Sequence, residues 1–238
     1  MASAGAVVCF ALNGISFIAV IISLYLIRAT FKPQKTDESV LAGMGRGFTF
    51  VRRQESLLKL SLLGFVSTFC GIPLLTLLPV FARNIFGMGP AGYSAMMAAS
   101  GAGAITGALI YASLGRTSHK GHFTLRVQLL FALLLLSFAL SRNLALSCIV
   151  LFLCGACMMT LFASITSLVQ LASSEEMRGR VMSIFMLAFR GGMPLGNLTA
   201  GFLASRFSPS LALVVAGTLL GATALGLMLA PGRLGTKN

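Results

Sequence analysis

The segment NLALSCIVLFLCGACMMTLFASITSLVQLASS, residues 143–174, contains no Asp, Glu, Lys or Arg. A transmembrane helix needs about 20 apolar residues, so this segment is long enough to cross a bilayer once and too short to cross it twice. Comparable charge-free segments occupy residues 1–27, 60–82, 84–115, 127–141 and 207–232, and residues 181–205 are interrupted only by Arg190. The sequence therefore predicts an all-α membrane protein with seven transmembrane helices.

The amino-acid composition excludes the soluble classes of protein. Charged residues make up 10% of the 238 residues, whereas soluble domains average roughly 25%. A net charge of +13 would indicate nucleic-acid binding in a soluble protein. Here the basic residues are concentrated in the loops between apolar segments, so we expect a lipid bilayer as partner and no nucleic acid.

The distribution of basic residues also predicts the orientation. When loops are assigned to alternate sides, 14 Lys and Arg residues fall on the side of loop 28–59 and 3 on the other side. Because cytoplasmic loops are enriched in Lys and Arg, the N-terminus is predicted outside and the C-terminus inside the cytoplasmic (inner) membrane. The predicted domains are a first transmembrane helix (1–28), a basic cytoplasmic linker (29–58) and a six-helix unit with a short tail (59–238).

A cluster of turn residues divides one of the charge-free segments. Gly87, Gly89 and Pro90 favour a turn over a continuous helix. We therefore expect the helix in segment 84–115 to begin near Ala91.

The cysteines and histidines do not form a reactive site. All five cysteines lie in apolar segments, and the C-x-x-C pair Cys154 and Cys157 has no second pair and no nearby His. We interpret these cysteines as packing residues rather than as a metal or redox site. His119 and His122 lie in one loop without acidic partners, so the sequence predicts neither an enzyme nor a metal or cofactor.

Several stretches of the chain are similar to one transporter family: Cys9–Phe17, Gly47–Arg53, Leu78–Arg83, Gly101–Ala108, Arg178–Ser183 and Ala188–Gly196. Together with the order of one helix, a basic linker and six helices, they resemble helices six to twelve of a major facilitator superfamily transporter. The subgroup they resemble includes enterobactin exporters and macrolide efflux proteins. The resemblance covers nearly the whole chain.

The resemblance implies a function and a missing part. It implies a secondary active exporter that moves a small amphipathic molecule, such as a siderophore or a drug, using an ion gradient. The family's first five helices are absent, so the chain is expected to be inactive without an N-terminal transporter half. The alternative is a non-transporting membrane subunit or a truncated relic that packs with other helices. A retinal photoreceptor is disfavoured because the last span, 207–232, contains no Lys.

The loop between the third and fourth spans is similar to a glycine-rich loop motif of this superfamily. It keeps Gly115, Arg116, Lys120 and Gly121 but lacks the acidic residue that is usual in the motif. A gating role and a simple positive-inside loop are both open interpretations.

Arg190 is the strongest candidate for substrate contact. It lies ten residues beyond Arg180, which places it about 15 Å deep in a hydrocarbon core of about 30 Å. A central Arg costs at least ~2.5–3.5 kcal/mol, so it must face water, a hydrogen-bond acceptor or an anion. It either contacts substrate in a cavity or locks helices together through backbone carbonyl groups.

Helical spacing gives this span two different faces. Arg190, Pro194 and Asn197 share a polar, irregular face. Pro194 removes the hydrogen bond to the carbonyl of residue 190, and Gly191 and Gly192 loosen the backbone, so all three are candidates for a kink or gate. A stripe of small residues suited to close helix packing lies on the other side: Gly192, Gly196 and Ala200.

Two further groups are candidates for function. Pro73 and Pro79 lie in the second span, where their kinks serve either gating or a static bend. Polar residues recur along the fifth span at spacings of 4, 3 and 3: Thr160, Ser164, Ser167 and Gln170. These side chains either line a cavity or form interhelical hydrogen bonds.

Overall fold

The computed structural model describes residues 2–26, 40–113 and 120–229, and these ranges are helical apart from short turns. They contain α1 (Ala2–Leu26), α2 (Val40–Arg53), α3 (Glu55–Asn84), α4 (Pro90–Ser113), α5 (Lys120–Leu140), α6 (Leu144–Ala172), α7 (Arg178–Arg206) and α8 (Pro209–Leu229). The predicted all-α fold is confirmed.

Most of these helices are long enough to span a membrane. Within the described ranges, the six helices α3 to α8 have the length and apolar composition that a crossing requires. The apolar part of α1, Phe10–Leu26, is shorter and corresponds to the first predicted span. α2 differs from the others because it is short and ends in Arg52 and Arg53. The helices are those of a multi-pass membrane protein.

The chain forms two compact units, residues 1–38 and 39–238. The first unit contains α1, and the second contains α2 and the six long helices. α2 lies within the predicted linker 29–58, and α3 begins at Glu55, before the predicted start of the bundle at residue 59. Glu55 in the first turn pairs with Lys59 at 2.6 Å, which favours a helix start at this point.

The helix ends follow recognisable turn chemistry. The turn predicted between α3 and α4 is present, with φ of 63° at Gly87 and the first residue of α4 at Pro90. Glycine adopts this backbone conformation without strain, and proline suits a first helical position because no N–H is needed there. Asn143 caps α6, since its Oδ1 accepts a hydrogen bond from the N–H of Ala145 at 2.9 Å.

The long helices pack as two related sets of three. α3 packs along α7, α4 packs along α6, and α5 packs along α8. If α3, α4 and α5 are matched with α6, α7 and α8 in that order, the α3–α7 pair corresponds to the α6–α4 pair. The α5–α8 pair corresponds to itself. This is the packing expected for a three-plus-three repeat in a secondary transporter.

Glycines make equivalent contacts in the two related pairs. A Cβ at Gly103 in α4 would overlap the carbonyl oxygen of Phe152 in α6. A Cβ at Gly196 in α7 would overlap the carbonyl oxygen of Phe69 in α3. Small residues allow close backbone approach where lipid provides no hydrophobic force between helices, so these glycines set the helix spacing.

Candidate functional site

α7 turns its small residues toward α3. Gly192, Gly196 and Ala200 are buried, and Gly196 lies against the carbonyl oxygen of Phe69. That oxygen lacks its usual helical partner because Pro73, four residues later, has no N–H. The glycine therefore brings the backbone of α7 to the point where α3 has an unpaired acceptor.

Thr68 adds a hydrogen bond across the same contact. Its hydroxyl lies 2.7 Å from the carbonyl oxygen of Phe189 in α7. It also lies 2.9 Å from the carbonyl oxygen of Phe65 in its own helix. Since polar and small-residue contacts both hold this side of α7 against α3, the other side of α7 faces away from the bundle.

Arg190 lies on the outward side of α7, near the middle of this 29-residue helix. Its side chain is exposed, and among the described residues it makes no hydrogen bond or ion pair. Pro194 and Gly201 are exposed on the same face, and Asn197 is half-buried at its edge. We refer to these four residues as the Arg190 strip.

A second, apolar strip runs along the outward surface of α7. It consists of Leu187, Leu195, Leu198 and Phe202, of which Leu198 is 72% exposed and Phe202 62% exposed. At about 100° per residue, these side chains are rotated around the helix axis away from Arg190. The apolar strip suits contact with lipid, whereas the Arg190 strip requires water or polar partners.

Asn197 links the Arg190 strip to α3. The hydroxyl of Thr76 donates a hydrogen bond to Asn197 Oδ1 at 3.0 Å. Thr76 is exposed and lies between Pro73 and Pro79. Thr76 is not predictable from the sequence, because a single Thr in an apolar segment carries little signal by itself. Its position extends the polar surface from α7 onto α3.

Aromatic rings lie where α6 meets α7, next to Arg190 in the chain. The ring centroids of Phe162 and Phe189 are 5.0 Å apart, and those of Phe185 and Phe189 are 5.6 Å apart. Phe162 is 37% exposed. Phe189, one residue before Arg190, lies about 100° around the helix axis from it, on the side of α7 that meets α6.

The polar residues predicted along α6 are divided between two environments. The hydroxyl of Thr160 donates to the carbonyl oxygen of Gly107 in α4 at 3.2 Å, and the hydroxyls of Ser164 and Thr124 form a short hydrogen bond between α6 and α5. Gln170 is exposed near the end of α6. The structure thus places Thr160 and Ser164 in interhelical hydrogen bonds and does not bring them to the Arg190 strip.

The proline and glycine candidates also differ in their surroundings. Pro73 is buried, whereas Pro79 and Pro194 are exposed, and α3 and α7 continue through all three. A Cβ at Gly191 would meet open space, but a Cβ at Gly192 would overlap Thr68. Gly192 is therefore a packing residue in this structure, and a gating role for the other four stays a prediction.

Half of the predicted loop motif lies outside the described residues, namely Gly115 and Arg116. Lys120 begins α5, and Gly121 is buried in the first turn of that helix. A role of this motif in gating stays a prediction.

Gln128 is a buried polar residue that is not among the candidates predicted from the sequence. It is 0% exposed, and its Nε2 donates to the carbonyl oxygen of Leu220 at 3.2 Å and to the hydroxyl of Thr223 at 3.1 Å. The hydroxyl of Ser67 lies 3.4 Å from its Oε1. Gln128 therefore joins α5 to α8 and α3. In the sequence, the one feature that indicates such a role is that Gln128 is the one amide side chain in segment 127–141.

Arg190 gives its strip a group whose chemistry suits contact with an anion. A guanidinium group offers five N–H donors in a planar arrangement that matches carboxylate and phosphate groups.

In the part of the chain that the structure describes, no group of His, Cys, Asp and Glu could hold a metal ion. Cys154 and Cys157 are buried free thiols within α6.

Similarity to a known family extends along almost the whole chain. The family model for transmembrane secretion effectors matches residues 1–234. No curated protein matches the chain. Because that match agrees with a bundle of membrane-length helices packed as a three-plus-three repeat, the chain belongs to the transmembrane secretion effector family and is a membrane transporter of the major facilitator superfamily.

Proposed function

We propose that this protein is part of a secondary active exporter that moves a small amphipathic anion, such as a siderophore or an anionic drug, across the cytoplasmic membrane. The observation that supports this most strongly is Arg190, an exposed cation at the middle of α7 without a partner among the described residues. Placing the charged Arg190 side chain against lipid at that depth would cost at least ~2.5–3.5 kcal/mol of free energy. A water-filled cavity that receives an anion avoids this cost.

The residues around Arg190 support an amphipathic substrate rather than a simple inorganic anion. Phe162 and Phe189 form an aromatic pair on the neighbouring face of α7, and Asn197 and Thr76 provide hydrogen-bonding groups along the strip. A ligand with an acidic group and an aromatic or aliphatic body would use both kinds of contact.

A second transporter half is part of this proposal. In the apolar stretch of α4, and likewise in that of α7, 22% of the residues are buried, whereas 61% are buried in the apolar stretch of α3. In transporters of this architecture, the substrate site lies between two repeats or halves near the bilayer midplane. We propose that the uncovered face of α4 and the Arg190 strip of α7 face an N-terminal half, whether on the same polypeptide or on another, and that residues 1–238 alone do not transport.

The energy source is proposed to be an ion gradient. All five acidic residues lie outside the apolar segments: Asp37, Glu38, Glu55, Glu175 and Glu176. A carboxylate that couples proton movement to export would then belong to the other half, where it would also be close enough to pair with Arg190 between transport cycles.

Substitution of Arg190 tests the proposal. The chain is expressed with a matching N-terminal half in a host that lacks its own siderophore and drug exporters, and export is measured together with membrane abundance. We expect Arg190→Gln to reduce export about tenfold to a hundredfold, because a charged hydrogen bond contributes ~1.5–3 kcal/mol. Arg190→Lys should retain partial export because it keeps the charge.

Arg206→Gln is the matched control, since Arg206 is an exposed Arg at the end of the same helix. We expect its export and abundance to equal those of the wild type. Full export by Arg190→Gln at normal abundance would contradict the substrate role. Absence of export by the wild-type pair, with both parts present in the membrane, would favour the non-transporting subunit instead.

A further inference from the structure

Contacts with α3 and α7, and a hydrogen bond from the adjoining Gln54 to α6, hold α2 against the six-helix unit. A Cβ at Gly47 would lie 3.6 Å from the carbonyl oxygen of Arg180, so the backbones of α2 and α7 are close at this point. Val51 is buried, with 4% of its surface exposed. Gln54, between α2 and α3, donates from Nε2 to the carbonyl oxygen of Ala172 at the end of α6, at 3.2 Å. The position of α2 is therefore set by packing as well as by the chain connection to α3.

The outward side of α2 forms one wall of an open groove of about 500 Å³. The groove is lined by Gly45, Arg46, Thr49, Phe50, Arg53 and Met177. Arg46, Phe50 and Arg53 are spaced i, i+4 and i+7, which places them on one helix face. Met177, immediately before α7, lies across from them. The groove thus combines two guanidinium groups with apolar side chains.

The groove lies at the end of the membrane-spanning bundle. α3 begins, α6 ends and α7 begins at this end, as the contacts of Gln54 and Gly47 show. Phe48 of α2 is 61% exposed, and a lipid surface is the environment that favours such an exposed aromatic ring on a basic amphipathic helix. A basic amphipathic helix at the end of a membrane-spanning bundle is the kind of element that lies among lipid headgroups.

We infer that this groove binds an anionic phospholipid. The phosphate group contacts Arg46 and Arg53, and the first methylene groups of the lipid contact Phe50 and Met177. Basic residues beside transmembrane helices attract anionic lipids, and each contributes roughly fivefold in affinity. Lipid is favoured over a soluble phosphate because Phe50 and Met177 give the groove an apolar part and because the bilayer supplies lipid there. Glu175 and Glu176 are exposed beside Met177, and their negative charges weaken the attraction of distant anions. Arg46 and Arg53 must therefore contact the phosphate group directly.

A single tryptophan reports on this groove, because the sequence contains none. The full chain carrying Phe50→Trp is reconstituted in phosphatidylcholine vesicles that contain brominated phosphatidylglycerol or, in parallel, brominated phosphatidylcholine. Bromine quenches tryptophan fluorescence only at close range, so the ratio of quenching gives the relative affinity for the two lipids. We expect the phosphatidylglycerol affinity to be at least about fivefold higher.

Three substitutions separate specific binding from general attraction. Added to Phe50→Trp, both Arg46→Gln and Arg53→Gln should reduce the preference toward a ratio near one. Arg52→Gln removes the same charge from an exposed position of α2 that does not line the groove, and it should leave the preference unchanged. A ratio near one before these substitutions, or an equal loss in all three, would overturn the inference.

Two further measurements identify the source of the phosphate and guard against misfolding. Millimolar inorganic phosphate should not change the preference; if it abolishes the preference, the groove binds soluble phosphate and the lipid assignment is wrong. If Phe50→Trp does not fold, native mass spectrometry of the wild-type chain counts retained phosphatidylglycerol. Lower retention in Arg53→Gln than in Arg52→Gln is expected, and equal retention would overturn the inference.

Discussion

The side-chain amide of Gln128 is enclosed by apolar helices, and its hydrogen-bond partners lie on α8 and α3. Hydrogen bonds between membrane helices contribute about 0.6 kcal/mol on average and up to about 1.7 kcal/mol. Gln128→Met has a similar length and removes the amide, so we expect the free energy of unfolding to fall by an amount in this range. Thermal unfolding in detergent measures the change.

Gln170→Met is the control for that experiment, because Gln170 is exposed near the end of α6. We expect its unfolding temperature to equal that of the wild type. An equal decrease in both variants would show that the buried hydrogen bonds of Gln128 do not contribute specifically.

Individual polar residues differ in how well sequence alone predicts their roles. Arg190 was identifiable because one charge in the middle of an apolar span is costly and has few tolerable environments. For Thr160 and Ser164, a cavity and an interhelical bond were equally consistent with the spacing. The choice depends on which helices are neighbours, and the structure supplies Gly107 and Thr124 as partners.

α7 is the helix whose two sides differ most. Its buried side has Gly196 against the Phe69 carbonyl oxygen that Pro73 leaves unpaired. Gly196→Ala would force the Cβ into that backbone, so α3 and α7 must move apart. We expect a loss of about 1–3 kcal/mol or more in the free energy of unfolding, measured by thermal unfolding in detergent.

Gly191→Ala is the matched control on the same helix, because a Cβ at Gly191 meets nothing within 4 Å. We expect its stability to be equal to or up to about 1 kcal/mol above that of the wild type, since Ala favours helix more than Gly does. A similar loss of stability in both variants would mean that the α3–α7 contact is not tightly packed at Gly196.

Helix positions follow from the sequence, but helix pairing does not. The charge-free segments and the residues Gly87 and Pro90 correctly predict where helices lie and where α4 begins. Each long helix is apolar around most of its circumference, so hydrophobicity does not show which face packs. The glycine stripes at Gly103 and Gly196 give a local indication of contact, but the partner helix is decided by the fold of the whole unit.

The orientation of the molecule is predicted by the excess of 14 basic residues on one side over 3 on the other. Single cysteines replace Ser3 and Val40 in a background without the native cysteines, and intact cells are treated with an impermeant maleimide. We expect position 3 to be labelled and position 40 to be labelled only after the membrane is opened. Labelling of position 40 but not of position 3 in intact cells would reverse the orientation.

The fold class and the transporter family are the features that the sequence predicted best. Hydropathy determines the number of spans because lipid admits only segments that satisfy their own backbone hydrogen bonds. The groove beside α2 was not predictable, because it depends on the contact of Gly47 with α7 and of Gln54 with α6. Contacts between residues so far apart in the chain leave no periodic pattern.

Water access along α7 decides whether the Arg190 strip faces a transport cavity. In the cysteine-free background, cysteines replace Asn197 and Gly201 of that strip, or Leu198 and Phe202 of the apolar strip. The variants are expressed with the N-terminal half and treated with a small water-soluble thiol reagent. We expect positions 197 and 201 to react at least about tenfold faster than 198 and 202, because a thiol reacts as its thiolate, which is scarce in lipid. Equal rates on both strips, or faster reaction at 198 and 202, would contradict a substrate cavity lined by Arg190.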